Sequence, residues 1–261
     1  MSAPTTLFIP MMEFAADIED EMNRWFDRDH VPERLSCAGF LSCDRFALTS
    51  IEPPGWNPRL RWYKYLNAYT IENPAVLNCE AYRLQTTRSS GRWMSRLQAL
   101  DRGAGRGEFY AQRSSTRRWG IRSVWTQRPR LWAAPSMVMP PPRALYVVLR
   151  DVDAAHADAF NRFQDEEAVP ELLGCPGFLT CERYEAAGGP VLPIDGRPAA
   201  SDQPRYMDIY DVEIPEVLTN AAFWRMQSAP SERSKALAPH VTVRGMGVYL
   251  QRPRPWAIRP I

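Results

Sequence analysis

Short apolar runs set the rhythm of the chain. Thr6–Met11 and Ala144–Leu149 read as strands, and each leads into a segment whose bulky apolar residues recur at helical spacing, Met22 with Trp25 and Phe160 with Phe163. Pro32 and Pro170 are expected to end these helices, because proline clashes with the preceding turn and has no N–H to donate. Glycine then turns the chain into second strands, Gly39-Phe40 through Phe46 and Gly177 through Tyr184. Alternation over Tyr63–Ile71 and Tyr206–Ile214 predicts third strands, and Pro74 and Pro215 take first-turn positions of a second helix, where a missing donor costs nothing. Gly120–Gln127 and Val241–Gln251 supply final strands. The order is β-α-β-β-α-β, twice.

The two halves also match residue by residue. Asn23–Phe46 aligns without a gap to Asn161–Tyr184, and 13 of the 24 positions are identical. A second ungapped block sets Lys64–Gln85 against Arg205–Met226, with Pro74, Val76 and Leu77 falling on Pro215, Val217 and Leu218. Each half closes on the same phrase, Gln127-Arg128-Pro129-Arg130 and Gln251-Arg252-Pro253-Arg254. Between them lies Ala133–Arg143, whose Pro140-Pro141-Pro142 run favours an extended linker. The expected organisation is therefore one ferredoxin-like repeat over residues 1–132, a Pro-rich linker over 133–143 and a second repeat over 144–261. A four-stranded antiparallel sheet with both helices on one face leaves its other face bare, and two such sheets can cover one another. The repeats differ by an insertion near Arg88–Arg118 in the first and a Gly/Pro-rich loop at Ala186–Pro204 in the second.

The stretch Asn23-Arg24-Trp25-Phe26-Asp27 through His30-Val31-Pro32-Glu33, followed by Gly39-Phe40, resembles the dimeric α/β-barrel superfamily and, within it, EthD-like proteins. The resemblance covers both halves. It implies an α+β fold in which two ferredoxin-like units pack their antiparallel sheets face to face as an intramolecular dimeric α/β barrel. It also implies a range of activities, from muconolactone-type isomerases and polyketide cyclases to cofactor-free monooxygenases and haem-dependent chlorite dismutases, among which fold cannot choose.

Composition narrows the partners. A formal net charge of +2 gives no strong field for nucleic acid or an anionic membrane, and the arginines at 113, 117, 118, 122, 128 and 130 come without an RNA-binding signature. No apolar run reaches the ~20 residues of a membrane span, and no basic-then-apolar leader opens the chain. Five cysteines without a C-x-x-C pair suggest neither a disulfide framework nor a zinc site. The expectation is a cytoplasmic protein with a small-molecule substrate and no nucleic-acid or membrane partner, with a homo-oligomer of pseudo-dimeric chains left open.

Candidate chemistry comes from comparing the repeats. His30 falls on Ala168, although Val31-Pro32-Glu33 persists as Val169-Pro170-Glu171. At about 100° per residue, Asn23, Asp27 and His30 fall within roughly 60° of each other on a helix, so Asn23 or Asp27 could orient the imidazole. A plain helix-end histidine favoured by the dipole is the competing reading. Trp62, Tyr65, Tyr69 and His240 are candidate substrate-lining residues; His156, flanked by alanines, reads as a surface residue. The recurring pairs Cys37/Cys43 and Cys175/Cys181 read as small buried residues rather than nucleophiles. Without a phosphate loop, a dinucleotide fingerprint, H-E-x-x-H or G-x-S-x-G, no nucleotide cofactor, zinc-peptidase or serine-hydrolase chemistry is expected. Three histidines in three separate segments likewise argue against a metal cage. The expected function is cofactor-independent isomerase, cyclase or lyase chemistry on an apolar carbonyl, lactone or phenolic compound, with His30 as general acid or base. The alternatives are a non-catalytic ligand-binding protein, or a haem-dependent oxidoreductase or cofactor-free monooxygenase of the same superfamily.

Overall fold

The computed structural model describes residues 6–12, 14, 16–57, 59–60, 63–85, 120–127, 142–186 and 204–254; of residues 12 and 120–127 it describes the backbone. The insertion expected at 88–118, most of the Gly/Pro loop and most of the linker lie outside them.

Apolar alternation and turn glycines yield strands close to those expected. The first repeat comprises β1 (Thr6–Met12), α1 (Glu19–Trp25), a π-turn (Phe26–His30), α2 (Val31–Leu35), β2 (Phe40–Leu48), β3 (Tyr65–Ile71), a 3-10 turn (Pro74–Asn78) leading to helical residues 80–85, and β4 (Gly120–Gln127). The second runs β5 (Ala144–Val152), α3 (Ala157–Phe163), a π-turn (Gln164–Ala168), α4 (Val169–Leu173), β6 (Phe178–Ala186), β7 (Tyr206–Val212), a 3-10 turn (Pro215–Thr219), α5 (Ala221–Ser228), α6 (Glu232–Leu237) and β8 (Val241–Gln251).

Pro32 and Pro170 do not end the first helices. In each repeat the chain widens into a π-turn just before the proline, the N–H of Val31 reaching back five residues to Phe26 and that of Val169 to Gln164. The proline then sits in the first turn of the next helical segment, where its missing donor and its ring are tolerated. Gly39 and Gly177, at φ 87° and 88°, make the turn into β2 and β6. A Cβ at either would meet Val76 at 2.4 Å or Val217 at 2.3 Å, so glycine is required both for its backbone conformation and for the close approach of the 3-10 turn.

The eight strands form one closed antiparallel barrel in the order β1-β3-β2-β8-β5-β7-β6-β4. The two sheets face one another, and their edges are also joined: β2 pairs with β8 through Phe46–Leu48, and β4 pairs with β6 through Trp125–Gln127. The barrel interior is filled by both repeats, with Leu7, Ile9, Met11, Phe46 and Leu66 against Leu145, Val147, Leu149, Met207 and Tyr249. Outside the barrel each repeat has its own core between sheet and helices, built around Phe8, Phe40, Tyr69 and Tyr82 in one and Tyr146, Phe178, Tyr210 and Phe223 in the other. The fold is therefore α+β, and neither sheet is complete without its partner.

Cutting the chain within 133–143 exposes an apolar face and two open strand edges on each fragment, an aggregation hazard on both counts. Fragments produced separately are expected to aggregate, and fragments produced together to co-elute as one species on size-exclusion chromatography. Two soluble, monomeric fragments would contradict the closed barrel.

Candidate functional site

The polar centre of each repeat lies on the helix-facing side of its sheet. In β3 the residues alternate, with Leu66 and Ala68 facing the barrel interior while Tyr65, Asn67, Tyr69 and Ile71 face the helices. Arg45 on β2 projects to the same side and is wholly buried. Its guanidinium donates to Asn67 Oδ1 at 2.9 Å, to Asn23 Oδ1 at 2.8 Å and to the Asp27 carboxylate, and lies 4.8 Å from the Phe26 ring centroid. Asn23 also donates to the Tyr65 hydroxyl at 3.0 Å, which donates in turn to Glu19 at 2.6 Å. The arrangement ties α1 and the π-turn to the sheet through bonds to charged groups, the stronger class of hydrogen bond.

Repeat two builds the same centre from Arg183, Asn161, Asp165 and Tyr206. Arg183 donates to Asn161 Oδ1 at 3.0 Å and to Asp165, and Asn161 donates to the Tyr206 hydroxyl at 3.2 Å. One exchange separates the centres. Where repeat one has Asn67, repeat two has Asp208, which accepts from Arg183 at 3.1 Å and pairs with Arg150. The strand register sets Arg150 opposite Tyr206 as it sets Met12 opposite Tyr65, so the extra anion and the extra cation arrive together. Burial draws Arg45 below the usual guanidinium value, with Asp27 opposing it. Burial acts likewise on Arg183 but is outweighed by Asp208 and Asp165, which raise it.

The second repeat reaches into the first. Arg252, just past β8, lies 3.6 Å from Asp27 and 5.7 Å from the Tyr65 ring centroid, and its N–H donates to the Arg45 carbonyl at 2.7 Å. Gln251 donates to Asp44 at 2.7 Å, and Arg254 pairs with the same carboxylate. The closing phrase Gln251-Arg252-Pro253-Arg254 thus clamps the β2–β8 seam.

Of the residues singled out in the sequence, Asn23, Asp27 and Tyr65 meet in one network. His30 follows at the end of the π-turn. Its half-buried ring lies 4.5 Å from Trp25 and 4.8 Å from Phe26, while Asp27 turns to Arg45 and Arg252. Tyr69 is buried in the aromatic core, and burial, then the neighbouring Cys43, pushes its phenol well up. Trp62 lies outside the described residues. His240 belongs to repeat two, where it meets Asp153 and His156. The thiols of Cys43 and Cys181 are buried and shifted far upward by burial, as inert packing groups would be.

A signal for the arginines was present in the sequence: Arg45 and Arg183 are identical across the aligned block, as are Asn23 with Asn161 and Asp27 with Asp165.

No family profile matches the chain, and no curated protein matches it. Solved structures do. An anthrone oxidase-like protein superposes with a TM-score of 0.52 at 8% identity, over 97% of this chain and 92% of that one. A variant of chlorite dismutase from Candidatus Nitrospira defluvii superposes with a TM-score of 0.53 at 9% identity, over 97% and 93%. The fold is the dimeric α/β barrel. At such identities the likeness carries the fold and no activity.

A haem, which the resemblance allows, does not fit among the described residues. Ring packing occupies the space beneath the helices, with Phe40 on Tyr82 at 5.5 Å, Phe8 on Tyr69 at 5.9 Å, Tyr146 on Tyr210 at 5.8 Å and Phe178 on Phe223 at 5.3 Å between centroids. His30 lies half-buried against Trp25 and Phe26. Among the described residues no helix is long and apolar enough to cross a membrane.

The paired exchange at Asp208 and Arg150 makes a measurable claim. Asp208→Asn alone leaves Arg150 without its carboxylate and is expected to cost about 3 kcal/mol in urea unfolding. Combining it with Arg150→Met, the pattern of repeat one, should recover part of that loss, with a coupling of roughly 0.5–3 kcal/mol. Additive losses would show that the two charges are independent.

Proposed function

We propose that the chain is a tandem duplication of an EthD-like unit, joined through a linker at 133–143, and that it is a cytoplasmic small-molecule enzyme whose reactive centre lies in repeat one. The observation that carries this reading is His30. It is a half-buried imidazole held between Trp25 and Phe26 at the end of the π-turn, at a position where repeat two, with the same π-turn and the same Val-Pro-Glu, has Ala168. A side chain required by the turn itself would be present in both.

The network beside it divides the labour. Tyr65 is engaged by Glu19 and Asn23, and Asp27 by Arg45 and Arg252, so these groups hold the helix in place. In this reading His30 takes a proton from the substrate and returns it, and the flanking rings favour an apolar carbonyl, lactone or phenolic compound over a highly charged one. Isomerisation, cyclisation and elimination all reduce to such a transfer and need no nucleotide cofactor. Oxidation of such a compound is the second reading, in keeping with the anthrone oxidase-like neighbour.

The test uses His30→Ala and His30→Gln in the full chain, assayed on a panel of lactones, phenols and polycyclic ketones with oxygen uptake followed in parallel. Acid–base chemistry predicts a loss of kcat of about 10²–10⁴-fold in both variants, with unchanged thermal stability. Turnover within a few-fold of wild type would remove His30 from the mechanism. Stoichiometric oxygen uptake would select the oxidative reading.

A further inference from the structure

Two of the three histidines in the chain meet at one end of repeat two, where nothing in the proposed chemistry uses them. The meeting is enforced by the backbone. β5 and β8 run antiparallel and pair to their ends at Val152 and Val241, and the Asp153 N–H then donates to the His240 carbonyl at 3.0 Å. Asp153 leads into a 3-10 turn (Ala154–His156) that places His156 three residues later on the same side, while His240 ends a 3-10 turn of its own (Ala238–His240) immediately before β8. One ligand-bearing atom from each of Asp153, His156 and His240 lies within 4.8 Å of the other two.

The polar groups of this cluster are under-used by the protein. His156 Nδ1 is buried and accepts or donates no hydrogen bond, an omission that ordinarily costs about 1–3 kcal/mol. Asp153 stands at the N-cap of its turn yet makes no capping bond; its carboxylate meets His240 Nδ1 at 2.9 Å instead. The two imidazoles lie face to face with centroids 3.5 Å apart and planes 12° from parallel. At the ordinary Zn–N length of about 2.0–2.1 Å, neighbouring ligand atoms of a tetrahedron lie about 3.3 Å apart, so ligand atoms already within 4.8 Å of one another must draw closer, and the two rings must turn out of their stack for their in-plane lone pairs to meet on one ion. In repeat one the position of His156 is held by Ile18, which packs into the apolar core. Repeat two has given up that packing for an imidazole.

We propose that Asp153, His156 and His240 form a binding site for a divalent transition-metal ion of the zinc type. Two imidazoles and a carboxylate are borderline ligands suited to zinc, cobalt or nickel rather than magnesium or calcium, and three protein ligands leave a fourth position for water or a small anion. The ion ties the start of the first helix of repeat two to the start of β8, adjacent strands whose register the ion would lock. Separation in sequence does not keep these residues apart, because the pairing of β5 with β8 brings Asp153 to His240 across 87 residues.

The probe is Co²⁺, followed by Zn²⁺ in competition, added to tag-free full-length protein stripped with a chelator. One saturable cobalt site per chain is expected, with visible d–d absorption that zinc abolishes. His156→Ala and His240→Ala should each weaken binding at least tenfold, the double variant should lose the spectrum, and His30→Ala should bind like wild type, which separates this site from the proposed reactive centre. Zinc should raise the Tm of wild type and not of the double variant. Should the variants fold poorly, wild type alone decides: zinc should protect His156 and His240, but not His30, from acylation by diethyl pyrocarbonate, read by peptide mass spectrometry. Undiminished binding in the double variant, labelling of His156 and His240 unaffected by zinc, or no saturable cobalt binding would each overturn the proposal.

Discussion

A strand edge is a row of backbone donors and acceptors that must be paired, covered or left to water, and the whole molecule follows from how this chain disposes of four such edges. Each repeat makes a four-stranded sheet with an edge on either side, β2 and β4 in the first, β8 and β6 in the second. Pairing β2 with β8 and β4 with β6 closes the barrel and leaves no edge open. Closure also removes both inner faces from water at once, so the interior is built jointly from Leu7, Ile9 and Leu66 of one repeat and Val147, Leu149 and Met207 of the other. Two units in one chain make that encounter intramolecular, and the β2–β8 seam is further held by Gln251, Arg252 and Arg254 on Asp44 and Asp27.

With the inner face given to the barrel, each sheet must hold its helices on the outer face, and it does so with a buried arginine as well as apolar packing. Arg45 and Arg183 convert the first helix of each repeat from a mobile apolar cover into a fixed one, because asparagine and aspartate at one helical spacing saturate the guanidinium fork. A buried ion pair of this kind is a weak source of net stability but a strong source of position, since a displaced helix would leave a charge stranded. The two centres are charged differently. Repeat one sets Arg45 against Asp27 and neutral Asn67, with Arg252 reaching Asp27 from across the seam, whereas repeat two adds the pair Asp208 and Arg150 within its own sheet.

That shared framework makes the differences between repeats informative. Residues that agree, such as Asn23 with Asn161, Asp27 with Asp165 and Arg45 with Arg183, prove to hold the fold. Residues that disagree, His30 against Ala168 and Ile18 against His156, sit at positions the framework does not require, and there the chain is free to place chemistry. The groups found there differ: an imidazole beside two aromatic rings in the first repeat, and two imidazoles with a carboxylate in the second.

The element order, the matched blocks and the strand boundaries within a few residues were legible in the sequence, because each is written in local periodicity or in residue-by-residue agreement. The same locality misled at Pro32 and Pro170, where a proline that should stop a helix is absorbed by a π-turn. Which edges join was decided only in three dimensions, since strand pairing across repeats links residues with no shared local pattern. The burial of Arg45 followed from that closure: an arginine in a strand reads as a surface residue until Asn23, Asp27 and Asn67 are seen around it. The meeting of His156 with His240 is of the same kind, because only the antiparallel pairing of β5 and β8 brings such distant residues to one strand end.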